Sequence, residues 1–150
     1  MPHPPPSNPT LKVSARNQFD AVISALVPGP VNTEVSLRLP GGERLVAVIT
    51  QASAKELGLA VGGRAWAIVK APWVIVTTGG RERQVPACNH FEGIVSAVKT
   101  GPINAAVTLT LPGGTQVHAV LTQEAVNELG LAPGVIATAV IKPSQVMLAA

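Results

Sequence analysis

Six residues in the first half of the chain have the chemistry to hold a small anion. Ser14 and Arg16 lie just before a strand-like run, Thr50 and Ser53 are three apart at a helix start, and Lys70 precedes Ala71 at a strand end. Hydroxyls donate hydrogen bonds to oxyanion oxygens. Arg and Lys neutralise charge, and a helix start offers free N–H groups and partial positive charge. Three such segments converging could wrap a tetrahedral dianion. Taken singly, each residue has a plainer role: Thr50 as a helix cap, Lys70 as a solvated strand end, Arg16 as a surface charge.

Other chemistries find little support, and no catalytic residues are assigned. The chain has no Gly-rich phosphate loop carrying Lys and Ser/Thr, no His-Glu-x-x-His and no Cys-x-x-Cys. His3, His90 and His118 lie in a tail and two unrelated strand-like regions, so no direct protein–metal ligation is expected. The single cysteine, Cys88, excludes an intrachain disulfide framework and reads as a small apolar filler. Nucleic-acid binding by a small barrel wants a basic groove with stacking aromatics. This chain has two Phe, two Trp and no Tyr, and its Lys and Arg residues are dispersed. No nucleic-acid partner is therefore expected.

The composition bears on assembly. Only 13% of the 150 residues are charged while 47% are hydrophobic, against about 25% charged in an ordinary soluble domain. So few charges cover little surface, which predicts a homo-oligomer with apolar surface buried between copies. The sequence shows neither a secretory leader nor an apolar run long enough to cross a bilayer, so no membrane partner and a cytoplasmic location are expected.

The elements that must position the six residues occur twice. Displaced by 72 positions, Val13–Val76 falls on Val85–Leu148 without a gap, and 29 of the 64 paired positions are identical. Gly29-Pro30-Val31-Asn32 returns as Gly101-Pro102-Ile103-Asn104, and Leu39-Pro40-Gly41-Gly42 as Leu111-Pro112-Gly113-Gly114. Thr50 and Lys70 return as Thr122 and Lys142.

Period-two alternation predicts a strand from Phe19 to Val27, with Phe19, Ala21, Ile23, Ala25 and Val27 on one face. A second strand follows from Val31 to Leu39, with Val31, Thr33, Val35, Leu37 and Leu39 inward and Asn32, Glu34, Ser36 and Arg38 outward. Pro40-Gly41-Gly42 is a hairpin turn, and Glu43–Ile49 a third strand. Thr50 caps a helix over Gln51–Leu57 that Gly58 ends. Arg64–Lys70 and Trp73–Val76 complete the unit, and the second copy repeats it. The order predicts an all-β protein of two tandem small OB-like β-barrels, each with one short helix, an open sandwich being the alternative. The expected organisation is a disordered Pro-rich tail over 1–12, a first domain over 13–76, a linker over 77–84 and a second domain over 85–150.

Four motifs in order carry a family resemblance: Ser14-Ala15-Arg16-Asn17-x-Phe19, Gly29-x-Val31-Asn32-x-Glu34-Val35, Thr50-x-x-Ser53 and Lys70-Ala71-Pro72-x-Val74. The chain resembles the molybdenum-pterin-binding (Mop, or molbindin) domain, and its duplication resembles the cytoplasmic tandem members of that family. The resemblance implies binding of molybdate, or tungstate, as an oxyanion, with no cofactor, at sites between subunits of a homo-oligomer, typically a trimer. It implies one class of site from Ser14, Arg16, Thr50, Ser53, Lys70 and Ala71, with Thr122 and Lys142 as the survivors in the second copy. A second class, near a threefold axis, is implied at Gly29, Val31 and Asn32 and at Gly101, Ile103 and Asn104.

The second copy departs from the pattern. Pro86 replaces Ser14, Cys88 replaces Arg16, Ala125 replaces Ser53 and Pro143 replaces Ala71. Three side-chain donors are lost and, at Pro143, a backbone N–H. The copy-two site is accordingly expected to be weak or absent while the copy-one site works. Pro30 and Pro102 also remove an N–H from each turn of the second class. The expected function is reversible molybdate binding for storage or homeostasis, not catalysis. The alternatives are a ligand-sensing module that partners a regulator or transporter, and a barrel scaffold without anion sites.

Overall fold

Phe19, Ala21 and Ile23 alternate with more exposed residues, and β1 (Asn17–Pro28) forms on that pattern, antiparallel to β2 (Asn32–Arg38). The structure, a computed structural model, describes residues 13–79 and 87–150. The Pro-rich tail, most of the 77–84 linker and Pro86 lie outside the described residues.

β3 (Arg44–Thr50) pairs with β2 across the Pro40-Gly41-Gly42 turn, where Gly42 has φ +95°. α1 (Gln51–Leu57) follows. The Thr50 hydroxyl accepts from the Ser53 N–H, and Gly58 stops the helix in the left-handed conformation at φ 63°. β4 (Arg64–Val69) pairs with β1, a 3-10 turn covers Ala71–Trp73, and β5 (Ile75–Thr77) is short. Trp73 thus belongs to the turn that begins at Ala71 rather than to the expected fifth strand. The second copy gives β6 (Asn89–Lys99), β7 (Asn104–Thr110), β8 (Gln116–Thr122), α2 (Gln123–Leu129), β9 (Ile136–Ile141), a 3-10 turn at Pro143–Gln145 and β10 (Met147–Ala149).

The inner-face alternation of β1 does not continue through Ala25 and Val27. A bulge between Ile23 and Ala25 shifts the register, and the same bulge lies between Val95 and Ala97. Ile23 instead exchanges both backbone hydrogen bonds with the Gly62-Gly63 segment, its N–H reaching the Gly63 carbonyl at 2.8 Å. The extra residue turns Val27 out into solvent. Val31 is likewise exposed rather than inward, because it sits in the turn before β2 begins, while Ser36 is buried rather than outward. Ser36 accepts at its hydroxyl from Arg44 Nη2 at 3.0 Å and at its carbonyl from Ser24.

The two five-stranded sheets are not each made of one copy. Their orders are β10-β4-β1-β2-β3 and β5-β9-β6-β7-β8, so each copy gives its last short strand to the other's sheet. β10 pairs with β4 through Met147–Ile68 and Ala149–Trp66, and β5 pairs with β9 through Ile75–Val140 and Thr77–Thr138. The 3-10 turns follow: Ala71–Trp73 packs against β8 and Pro143–Gln145 against β3. One core runs through both halves, with Ile23, Val35, Leu37, Leu45, Val95, Val107, Leu109 and Val117 all fully buried. Burying each such side chain contributes roughly 1.5–3 kcal/mol. The hairpins also meet, a Cβ on Gly113 falling 2.2 Å from the Gly41 carbonyl oxygen, so only glycine fits there. Among the described residues no helix is long and apolar enough to cross a membrane.

Candidate anion-binding site

The strand exchange decides which of the candidate residues meet. Arg16 and Lys70 are exposed cations at the head of β1 and the end of β4. These strand ends are held together because Asn17 pairs with Val69. From there the chain turns through Ala71 onto β8 of the other copy, whose last residue is Thr122. Lys142 leaves β9 in the same way and turns through Pro143 onto β3, whose last residue is Thr50. Lys70 and Ala71 lead onto β8 of the other copy and Lys142 and Pro143 onto β3, while Asn17, next to Arg16, bonds His118 of β8 and Asn89, next to Cys88, bonds Val46 of β3. The exchange of the last strand makes each candidate site a mixed one, drawing on both copies.

The candidate mixed site that includes Arg16 would draw on two cations, the Ser14 hydroxyl, the Ala71 N–H and, from β8, the Thr122 hydroxyl, with Ala125 where copy one has Ser53. The Thr122 side chain accepts from the Ala125 N–H at 3.1 Å, which orients it at the start of α2. Lys70 is held over the ring of Trp73, its Nζ 5.1 Å from the centroid, an attraction between the ammonium and the negative ring face. Gln18 donates to the Ala15 carbonyl at 2.9 Å and to the Val13 carbonyl at 3.3 Å, tying back the segment that carries Ser14 and Arg16. His118 of β8 shares its ring Nδ1 with the Thr108 hydroxyl at 3.0 Å. Burial, and then the Arg16 guanidinium, hold the His118 pKa below its ordinary value of 6.5. His118 is thus semi-buried, and it lies within the electrostatic reach of Arg16.

The other mixed site keeps Lys142 as its cation. The Thr50 hydroxyl donates to Ser53 Oγ at 2.8 Å, so these two hydroxyls already satisfy each other in part. Cys88 stands where the first site has Arg16 and Pro143 where it has an N–H donor. Ala87 adopts φ 59°, a left-handed conformation absent at the matching Ala15, so the chain also enters β6 differently.

The Gly-Pro-x-Asn turns lie at the opposite end of β2 and β7 from the hairpins. Gly29 donates to the Asn32 carbonyl at 2.9 Å, and a Cβ there would meet that oxygen at 2.7 Å. The Val31 carbonyl accepts from the Gln51 N–H at 2.8 Å, and Ile103 does the same for Gln123. The first N–H of each helix is therefore taken by the turn. Val31 and Ile103 project at 71% and 74% exposure.

Two residues matter that sequence reasoning left inside a motif without a role. Asn17 is buried at 1% exposure; its Nδ2 donates to the Val69 carbonyl at 3.1 Å and to the His118 carbonyl at 2.8 Å, and its Oδ1 accepts the His118 N–H at 2.7 Å. Asn89 repeats this with Ile141 at 3.1 Å and with both backbone groups of Val46 at 2.9 and 2.8 Å. A signal was present: Asn17 and Asn89 have the inward parity of Phe19 and Phe91, and a polar residue at an inward position must find partners.

Comparison with known proteins accords with this architecture. The TOBE domain matches twice, over residues 13–76 and 86–148. The chain belongs to the TOBE domain family. It is 43% identical over 140 residues to the molybdenum-pterin-binding protein MopA of Rhodobacter capsulatus, covering 93% of this chain and 53% of that protein. It is 44% identical to the molybdenum transport protein ModE of Herbaspirillum seropedicae, covering 93% and 52%. The chain spans about half the length of these relatives. Among solved structures, the cytoplasmic molybdate-binding protein ModG with molybdate bound is 49% identical, with a TM-score of 0.88 over 92% of this chain and 98% of that one. The all-β tandem TOBE fold of this chain is therefore of the Mop type.

Proposed function

We propose that this protein reversibly binds molybdate, and tungstate by the same chemistry, for storage or homeostasis in the cytoplasm, without catalysing a reaction. The observation that carries the reading is the likeness to a molybdate-bound protein over nearly the whole of both chains. The convergence of Arg16 and Lys70 on the strand that ends at Thr122 adds the needed chemistry. The site is made of donors and cations: Ser14, Arg16, Lys70, the Ala71 N–H and Thr122. Such a site favours a fully deprotonated dianion over phosphate, which carries a proton that must itself be donated. Lys142, Thr50 and Ser53 form the weaker counterpart. Two units over 13–76 and 85–150, joined by 77–84, assemble as a trimer. A second class of site lies at Gly29, Val31 and Asn32 and at Gly101, Ile103 and Asn104. Val31 and Ile103, exposed at matching positions of the two copies, are available to contact another subunit there.

Native mass spectrometry of the full chain, with and without molybdate and with phosphate at equal concentration, tests the reading. An oligomer gaining discrete molybdate masses, and no phosphate masses, is expected. An oligomer that takes up neither anion overturns it in favour of a scaffold. Because an anion that binds only the native state stabilises it by mass action, molybdate also raises the unfolding temperature if the reading holds. A sensing role is the second reading, favoured by the doubled length of ModE and MopA. It predicts that a protein partner binds only one of the anion-free and anion-loaded forms.

A further inference from the structure

Each half of the molecule contains one buried carboxamide that touches three strands, and the three strands are those that carry a mixed anion site. Asn17 directly follows Arg16, and the carbonyl it bonds, that of Val69, directly precedes Lys70. Its remaining donor and its acceptor are both spent on His118, in the strand that ends at Thr122. All three hydrogen-bonding groups of the side chain are used at 2.7–3.1 Å, in a position 1% exposed. No other single side chain among the described residues is hydrogen-bonded both to the β4 end beside Lys70 and to β8.

We infer that Asn17 is a positioning residue of the oxyanion site, fixing the distance from Arg16 and Lys70 to the β8–Thr122 strand of the other copy. The inference rests on the molybdate reading above. The two cations have long, exposed side chains. Their ability to meet one small anion depends on how rigidly their backbones are placed, because fixed donors lose less entropy on binding. Asn17 supplies that rigidity across the boundary between copies, where the β1–β4 ladder alone cannot reach. Asn89 does the same for Cys88, Lys142 and β3, but there the site it orders has lost its arginine, a serine and an N–H. The two asparagines are thus near-equal in bonding and unequal in what they position.

That inequality separates positioning from plain structural support. In the full chain, Asn17→Ala and Asn89→Ala each remove one bridging carboxamide, so both are expected to lower the unfolding temperature by similar amounts. Molybdate affinity, measured by calorimetric titration of the folded oligomers, should diverge. Asn17→Ala is expected to weaken the tight site by at least about tenfold, the usual loss when an outer-shell partner of a site is removed. Asn89→Ala should leave the tight site within about twofold. If Asn17→Ala does not fold, Asn17→Ser, which leaves one hydroxyl in the pocket, is measured the same way and should give the same ordering with smaller losses. Equal losses of affinity in the two variants, or an unchanged tight site in a folded Asn17 variant, overturn the inference while leaving the molybdate reading intact. Failure of the wild-type chain to bind molybdate at all overturns both.

Discussion

At the position before each bridging asparagine the first copy has Arg16 and the second has Cys88; at the first position of the 3-10 turn the first has Ala71 and the second Pro143. Apart from the left-handed Ala87, the backbone of the two copies is built alike. Both copies have the β-bulge, the hairpin, the threonine cap with its hydrogen bond at 3.1 Å, and the left-handed glycine at the helix end. Duplication has kept what the fold needs and let the candidate anion-site residues change. The difference extends to the groove between helix and sheet. In copy one a groove of about 200 Å³ lies beside α1, lined by Leu26, Ala54 and Leu59 among others. In copy two the matching Val126 and Leu131 are buried and fill that space. The second copy is thus the better packed one around its helix.

If the copies are equal as scaffold, equal core deletions should cost the same. Leu37 and Leu109 are both fully buried at matching positions. Leu37→Ala and Leu109→Ala are each expected to destabilise the protein by about 2–5 kcal/mol, the cost of lost burial plus a cavity. Denaturant unfolding should place the two within about 1 kcal/mol of each other, since both sit in one continuous core. A larger gap would break the equivalence of the copies as scaffold.

The next effect sharpens the comparison instead. Lys70→Ala removes a cation from the mixed site with Arg16, and hydrogen bonds to charged groups contribute about 1.5–3 kcal/mol. Molybdate binding at the tight site should fall by about tenfold to a hundredfold, read by titration, and Arg16→Ala should match it. Lys142→Ala should leave the tight site unchanged and abolish only the weaker binding. If the lysines are interchangeable, the asymmetry is wrong.

Much of this was legible because period-two alternation and turn chemistry are local. Thr50, Gly58 and the Pro-Gly-Gly hairpins act within a few residues, so their roles could be read directly from their neighbours. The bulge at Ile23–Ala25 could not, since apolar residues continue in alternation through Val27 and only pairing to the Gly62-Gly63 segment reveals the shift. The mixed composition of each candidate site was hidden for a stronger reason. Ile75–Thr77 and Met147–Ala149 have nearly the same character, and nothing in either states which sheet edge it joins. Two similar halves offer each strand two similar partners, and the choice between them is made by the tertiary structure. Hence the packing of the Arg16 end on β8 and of the Cys88 end on β3 was not legible in the sequence.

A smaller contrast lies at the first turn of each helix. The Thr33 hydroxyl donates to Gln51 Oε1. In copy two Ala105 replaces Thr33, and Gln123 Oε1 is left buried with no hydrogen-bond partner. An unmade bond to a buried acceptor costs about 1–3 kcal/mol. Thr33→Ala is expected to destabilise by about 1 kcal/mol, and Ala105→Thr to stabilise by up to about 1 kcal/mol, in chemical denaturation. The opposite signs matter more than the sizes: destabilisation by Ala105→Thr would mean that the methyl group finds no room beside α2.

The faintest expected difference comes from His118, which stands where copy one has Val46. Burial and Arg16 keep its folded pKa below 6.5. As pH falls through the ordinary imidazole range, the unfolded chain therefore takes up a proton before the folded chain does. Stability rises with pH wherever the unfolded state binds more protons. His118 thus contributes a loss of stability that begins as pH drops below about 6.5 and grows until the folded pKa is reached; above that range it adds no slope. His118→Val, which copies the first half, should flatten this part of the stability curve between pH 5 and 7 and leave the curve above pH 7 unchanged. Molybdate bound beside Arg16 would offset the guanidinium charge and ease protonation of the ring. The acid slope due to His118 should then shrink in saturating molybdate, and a slope indifferent to the anion would separate His118 from the site that Arg16 helps to form.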